Sequence, residues 1–335
     1  MTTLSIRQVK QQIAQLANTK STNNLPTFWL TDWLLHVIDK PALFLITDDN
    51  YELTDSELEE FNAGVIKMQQ GVPLAYLTGH QEFWSLDFCV NEHTLIPRPD
   101  TEVLVEQVLQ WIRAQDSYNV NKSNSDRHLD KANIAAIEHT DTKCLDAKRL
   151  DSRRLLDLGT GSGCIAISLA YELKDNLQKQ SLKYTGQERW QVVAVDISAE
   201  ALKVAKHNAV ANNVEVKFIQ SSWYEALSTD ASKLFDVIVS NPPYIDETDE
   251  HLTRLQAEPI SALSASNHGL ADIEFIVRNA PEYLQIGGLL ALEHGYDQGL
   301  AVRELFLASG FEFVQTIKDY GGNDRITLGQ KPLKN

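Results

Sequence analysis

Leu155-Leu156-Asp157-Leu158-Gly159-Thr160-Gly161-Ser162-Gly163-Cys164-Ile165 is an apolar run that breaks into a glycine-rich turn and then resumes with helix-compatible residues. Strand, glycine turn and helix in that order form the context that a nucleotide-binding loop requires. Gly159 and Gly161 allow the backbone to approach a ligand closely, with Thr160 and Ser162 between the glycines, and Gly163 lets the helix pack near the strand. Asp157, two positions before the first glycine, is placed to order this loop.

Outward from the loop, apolar runs at residues 154–157, 191–196, 215–220, 236–240, 288–293 and 311–318 alternate with helical segments. That alternation predicts an α/β, doubly wound parallel sheet. The second run ends at Asp196, where a carboxylate can accept hydrogen bonds from both ribose hydroxyls of an adenosine cofactor. It lies farther from the glycine loop than the usual spacing, and the polar stretch at 174–188, read as a lengthened surface connection, accounts for the excess. Asp196 could instead cap the helix beginning near Ser198. Trp223, after the third run, offers a stacking face for a base but could equally be a core tryptophan.

The fourth run leads into Asn241-Pro242-Pro243-Tyr244. A planar amide or amine nitrogen has a delocalised lone pair, so alkylating it requires that its NH2 be held and drawn toward tetrahedral geometry. The Asn241 side-chain oxygen can accept one N–H and the Pro242 carbonyl the other. Pro242 and Pro243 stiffen the backbone that presents this carbonyl, and Tyr244 can stack on a flat acceptor group. Asn-Pro is also ordinary punctuation at a strand end. The glycine loop, the acidic strand end and the tetrapeptide in that order favour a methyl-transfer site.

Before residue 79 the pattern is helical. Ile6, Val9, Ile13 and Leu16 recur at helical spacing, as do Leu58, Phe61, Val65 and Met68. Thr54-Asp55-Ser56-Glu57 is a capping-box pattern, and the aromatic-rich stretch from Phe28 to Ile38 reads as a core helix stopped by Pro41. Alternation around Phe83, Phe88 and Val90 predicts a short hairpin. The expected organisation is a helical domain over 1–78, a hairpin linker over 79–97, and a larger domain over 98–335. In the last, a helix begins at Pro99-Asp100-Thr101-Glu102 and runs to about Trp111. Residues 117–152 are polar and of mixed charge and read as a mobile insertion with a short helix near 132–138.

The chain has 335 residues, 43% of them apolar, and a formal net charge of −16. Such acidity opposes unaided binding to duplex DNA, which depends on phosphate neutralisation by Lys and Arg. No apolar run of membrane-spanning length and no signal-peptide pattern appears at the N-terminus, so a cytoplasmic location is expected. Cys89, Cys144 and Cys164 are too scattered for a metal site or an evident disulfide framework, and no metal is expected.

The chain resembles the release-factor glutamine methyltransferases over nearly its whole length. The resemblance rests on the glycine loop and tetrapeptide, on residues 71–79, on Glu82-Phe83, on Leu95-Ile96-Pro97-Arg98-Pro99-Asp100-Thr101-Glu102, on Leu292-Glu293-His294-Gly295 and on residues 319–325. It implies a seven-stranded class I (Rossmann-like) methyltransferase domain, a helical N-terminal domain that holds a protein partner, and S-adenosyl-L-methionine as methyl donor. Asp157, Gly159 to Gly163, Asp196, Trp223 and Asn241 would serve the cofactor, and Asn241, Pro242, Pro243 and Tyr244 the glutamine of a Gly-Gly-Gln motif in peptide chain release factors. Asn241, Pro242 and Tyr244 would be the catalytic group, with no direct nucleic-acid or membrane partner and a monomeric state expected. Ser222 stands where the family often has Asp. The alternatives are adenine-N6 methylation of DNA and a cofactor-dependent binding protein without turnover.

Overall fold

In a computed structural model, which describes residues 4–18, 25–127, 152–180 and 189–333, the helical periodicity resolves into α1 (Ile6–Asn18), α2 (Thr27–Ile38), α3 (Phe44–Thr47), α4 (Asp55–Gln69) and α5 (Leu74–Thr78). Ile6, Val9, Ile13, Leu30, Trp33, Leu34, Phe61, Val65 and Met68 meet in one core. Trp33 donates its indole N–H to the Phe61 carbonyl at 3.0 Å. Gly64 is demanded by this packing, since a Cβ there would lie 2.2 Å from the Trp33 ring. The capping box forms as its residue types require: Thr54 N–H donates to Glu57 at 2.7 Å and Glu57 N–H to Thr54 Oγ1 at 3.2 Å. Helix α2 ends at Asp39, which adopts the left-handed region two residues before Pro41.

The hairpin pairs β1 (His80–Phe83) with β2 (Leu86–Cys89). Trp84 and Ser85, both at positive φ, make its turn, and the Trp84 N–H is held by Glu102 at 2.8 Å. Phe83 and Phe88 are buried in the core of the large sheet. Residues 99–101 form a 3-10 turn that leads directly into α6 (Glu102–Arg127). The helix therefore continues well beyond Trp111 and takes in residues 117–127 of the segment expected to be a mobile insertion. Residues 117–127 are rich in Ser, Asn and Asp, which favour caps and turns over helix interiors, so local propensity pointed away from the helix that forms there. The short helix expected at 132–138 and Cys144 lie outside the described residues, as does the rest of that segment up to β3.

The sheet consists of β3 (Ser152–Leu158), β4 (Arg189–Asp196), β5 (Lys217–Gln220), β6 (Phe235–Ser240), β9 (Leu284–Glu293), β10 (Glu312–Lys318) and β11 (Asp324–Gln330), in the order β10-β11-β9-β6-β3-β4-β5. Only β11 runs antiparallel to its neighbours. A two-strand parallel ladder, β7 (Ile245–Asp246) with β8 (Ser264–Ala265), stands apart from the sheet. The helices α7 (Cys164–Gln180), α8 (Ala199–Ala211), α9 (Ala271–Tyr283) and α10 (Gly299–Ala308) cover the sheet. Residues 174–180 of the expected surface connection continue α7, and 181–188 lie outside the described residues.

The strands read as unbroken apolar runs because both faces are covered. Leu155, Val192, Ala194, Val237, Val239 and Leu289 pack with α6 and α7. Leu156, Leu158, Val193, Val195, Ile238, Leu290 and Leu292 pack with α9 and α10. Strand β3 lies between β4 and β6, and the connections to β4 and to β6 depart in opposite directions across the sheet. That reversal opens a crevice at the carboxyl ends of β3, β4 and β6, where ligands of doubly wound sheets bind.

Candidate active site

A cavity of about 340 Å³ occupies this crevice, lined among others by Gly159, Gly161, Asp196, Ser222, Trp223 and Asn241. Its size suits a small-molecule cofactor. All three loop glycines are at positive φ. The Gly163 amide donates to the Thr160 carbonyl at 2.8 Å and closes the turn. A Cβ on Gly159 would lie 3.2 Å from the Trp223 ring, so glycine is what keeps the space beneath the indole open. Asp272 lines the same cavity, and burial raises its carboxyl pKa while the neighbouring Trp223 opposes this.

Asp196 sits at the end of β4. Its Oδ2 accepts the Gly161 N–H and its Oδ1 the Ser198 N–H, both at 2.8 Å. Each carboxylate oxygen has further lone pairs, so these bonds orient the group toward the cavity without exhausting it. Burial raises its pKa, against the pull of the Ser198 and Gly161 amides. The helix cap is a different residue: Ser198 accepts the Ala201 N–H at 3.1 Å.

Asp157 is fully buried beneath the loop. Thr160 Oγ1 donates to its Oδ2 at 2.6 Å, while Oδ1 has no hydrogen-bond partner. Burial pushes this carboxyl up to about 7, with the Thr160 bond opposing. Asp157, Thr160, Ser162 and Gly163 thus shape the loop from behind, and Gly159 and Gly161 are its residues on the cavity wall.

The tetrapeptide follows β6. Pro242 and Pro243 are buried, and Asn241 and Tyr244 half-buried. Asn241 and Pro243 line the cavity, whereas Pro242 and Tyr244 stand outside its lining. Asn241 Nδ2 donates to Thr101 Oγ1 at 3.3 Å, which turns the amide oxygen away from Thr101. The Tyr244 hydroxyl donates to Glu293 Oε1 at 3.1 Å, and the carbonyl of Tyr244 accepts from Gln298 Nε2 at 3.0 Å. The amides of Tyr244 and Ile245 both donate to the Leu263 carbonyl, at 3.2 and 2.9 Å.

The stretch 95–102 is wired into this site at four points. Its Ile96 N–H donates to Glu258 at 3.1 Å and Arg98 pairs with the same buried carboxylate. Asp100 lies 3.6 Å from Arg325, and Thr101 holds Asn241. Arg325, from the sequence segment 319–325, also pairs with Asp319 at 3.1 Å. His294 is wholly buried, its Nδ1 2.9 Å from the Gly295 carbonyl and its Nε2 2.9 Å from Thr327 Oγ1. A carbonyl can only accept, so the proton is on Nδ1 and Thr327 donates to Nε2. Burial lowers the imidazole pKa, consistent with a neutral structural histidine.

Sequence reading missed Asp272, Glu258 and Gln298, and gave Glu293 no role. Glu293 carried a readable signal, a lone acid ending an apolar strand as Asp196 does. Gln298 carried none, since a surface-type residue after a glycine turn is unremarked until its partners are known.

Two family models match the chain, a methyltransferase small domain over residues 123–263 and a PrmC N-terminal domain over 30–79. A release factor glutamine methyltransferase of Pasteurella multocida is 40% identical, covering 83% of this chain and 82% of that one. One of Haemophilus influenzae is 36% identical over 95% of this chain and 96% of that one. Among solved structures, a release factor-specific protein-(glutamine-N5) methyltransferase from Alicyclobacillus acidocaldarius aligns with 26% identity and a TM-score of 0.36, over 73% of this chain and 99% of that one. Sharing 36–40% identity with the Pasteurella and Haemophilus proteins over most of each chain, the chain belongs to the release factor glutamine methyltransferases.

Proposed function

We propose that this protein methylates the side-chain nitrogen of the glutamine in the Gly-Gly-Gln motif of peptide chain release factors, using S-adenosylmethionine, and so modulates translation termination. The observation that carries the reading is the meeting of Thr101, from the stretch 95–102, with Asn241 at the mouth of a glycine-loop cavity. S-adenosylmethionine, when bound, supplies an electrophilic methyl group on its sulfonium.

The residues of this chain do the holding. Gly159 and Gly161 would admit the cofactor, Asp196 would accept its ribose hydroxyls, and Trp223 would offer its base a stacking face. Ser222 offers a hydroxyl at the same wall. Asn241 Oδ1 and the Pro242 carbonyl accept the two N–H groups of the glutamine amide and aim its nitrogen, and Tyr244 flanks the amide plane. The nitrogen would gain the methyl group as the methyl–sulfur bond breaks, its electron pair staying on sulfur as a neutral thioether, and would lose one proton to solvent. As positive charge develops on it, hydrogen bonds to the two acceptors strengthen toward about 1.5–3 kcal/mol each. Fixed orientation supplies a further ~7–11 kcal/mol in favourable cases.

The helices before Gly79 hold the protein substrate, residues 79–97 join them to the methyltransferase domain, and the enzyme acts as a monomer in the cytoplasm, where translation terminates. Among the described residues, no helix is long and apolar enough to cross a membrane. The test is mass spectrometry of a release factor incubated with the protein and S-adenosylmethionine. One added methyl on the Gly-Gly-Gln glutamine is expected, and methyl transfer to an adenine-containing oligonucleotide instead would overturn the reading.

A further inference from the structure

Glu293 ends β9 with its side chain fully buried, 1% exposed. Its Oε1 takes the Tyr244 hydroxyl, and its Oε2 has no hydrogen-bond partner. The Thr101 hydroxyl lies beside this carboxyl, and the same hydroxyl oxygen accepts from Asn241 Nδ2. Both ends of the tetrapeptide therefore converge on one acid, Tyr244 directly and Asn241 through Thr101.

We propose that Glu293, as a carboxylate, is a positioning residue for methyl transfer, because it selects the orientation of the Asn241 amide. An ionised carboxylate only accepts. It draws the Thr101 proton toward itself, which turns the Thr101 lone pairs to Asn241 Nδ2 and leaves Asn241 Oδ1 for the substrate. A protonated Glu293 releases this constraint. The Thr101 proton can then turn to Asn241, the amide can flip to accept it, and an acceptor is withdrawn from the glutamine nitrogen. The inference rests on the methyl-transfer reading above.

The charged and titratable groups around Glu293 are Tyr244 after β6, Asp100 before α6, Cys164 at the start of α7, and Arg325 on β11 with its partner Asp319; His294 follows in the chain and is neutral. Burial pushes Glu293 up to about 7 and Asp100 adds to this, while Thr101, Arg325 and Tyr244 favour the ionised form. Cys164 is itself pushed up to about 12, first by burial, and is uncharged at this pH.

Side-chain amide NMR of Asn241 and carbon-13 carboxyl NMR of Glu293, recorded on the full chain from about pH 5 to pH 9, read the coupling without any release factor. The Asn241 amide signals should move with the Glu293 midpoint, near pH 7. They should stop moving in Glu293→Gln. Tyr244→Phe removes a donor that favours the charged form and should shift the Glu293 midpoint upward, whereas Thr101→Val should uncouple the Asn241 signals from that midpoint. The kcat for release-factor methylation should show an acid limb at the same midpoint, shifted likewise in Tyr244→Phe. In Glu293→Gln it should be about tenfold or more lower with that limb gone, while cofactor affinity stays within about twofold. Asn241 signals that ignore the Glu293 titration, or an acid limb that none of the variants moves, would overturn the role. A wild-type protein whose Asn241 titrates with Glu293 yet methylates no release factor would instead refute the functional reading alone.

Discussion

Replacing Gly269 by alanine should separate methyl transfer from cofactor binding. Gly269 is at φ +77°, and a Cβ built on it would lie 2.0 Å from the Tyr244 carbonyl oxygen and 2.8 Å from Gln298 Nε2. Ordinary contact begins at 3.4 Å, so that carbonyl must retreat by about 1.4 Å. The left-handed backbone costs an alanine about 1–2 kcal/mol, and losing the Gln298 bond to Tyr244 costs about 1 kcal/mol more. The displaced atom belongs to the backbone that carries Asn241 and Pro242, and a misplacement of about 1 Å at reacting groups can cost ~10²-fold in rate. Tyr244 stands outside the cavity lining, so cofactor affinity by calorimetry should change by less than about threefold. Gly310→Ala is the control: Gly310 is also at positive φ, +82°, but a Cβ there meets nothing within 4 Å. It should cost the same backbone strain in a urea melt and leave turnover intact. A Gly269→Ala protein that methylates release factor at the wild-type rate would refute the claim that this contact sets the acceptor geometry.

Asn241→Ala should lose about 10²–10³ in kcat, the usual cost of one pre-organised polar contact at a reacting centre, measured by initial rates with release factor at saturating cofactor. Asp157 and Glu293 both have folded-state values raised to about 7 by burial. Their contribution to stability is therefore fully present below the ordinary carboxylate range and is lost as pH rises through about 7. Asp157→Asn keeps an acceptor for Thr160, so urea unfolding should find it gaining on the wild type between about pH 4 and pH 8. Thr54→Ala removes one arm of the capping box and should cost about 1 kcal/mol, seen as a lower melting temperature with kcat unchanged.

The strand-and-helix alternation was legible because both-sided burial writes unbroken apolar runs into contiguous residues. Strand β11 escaped for the complementary reason: Asp324 and Arg325 open it, so it reads as a continuation of the turn, and only pairing between β9 and β10 makes it a strand. The true extent of α6 escaped because its later turns carry no apolar periodicity. The loop and tetrapeptide were legible as chemistry, yet half of the loop faces away from the cavity, a matter of φ angles that residue letters do not carry.

The sequence by itself determined the local chemistry of this protein: a glycine turn after β3, a carboxylate ending β4, and an Asn-Pro-Pro-Tyr acceptor after β6, each encoded within a few neighbouring residues. Only the tertiary structure decided what steers that chemistry. Thr101 reaches Asn241 across 140 positions of chain, and Glu293 receives Tyr244 across 49. Such contacts arise where strands and their preceding segments end together at one edge of the sheet. Their strength comes from burial, which no single segment can provide for itself.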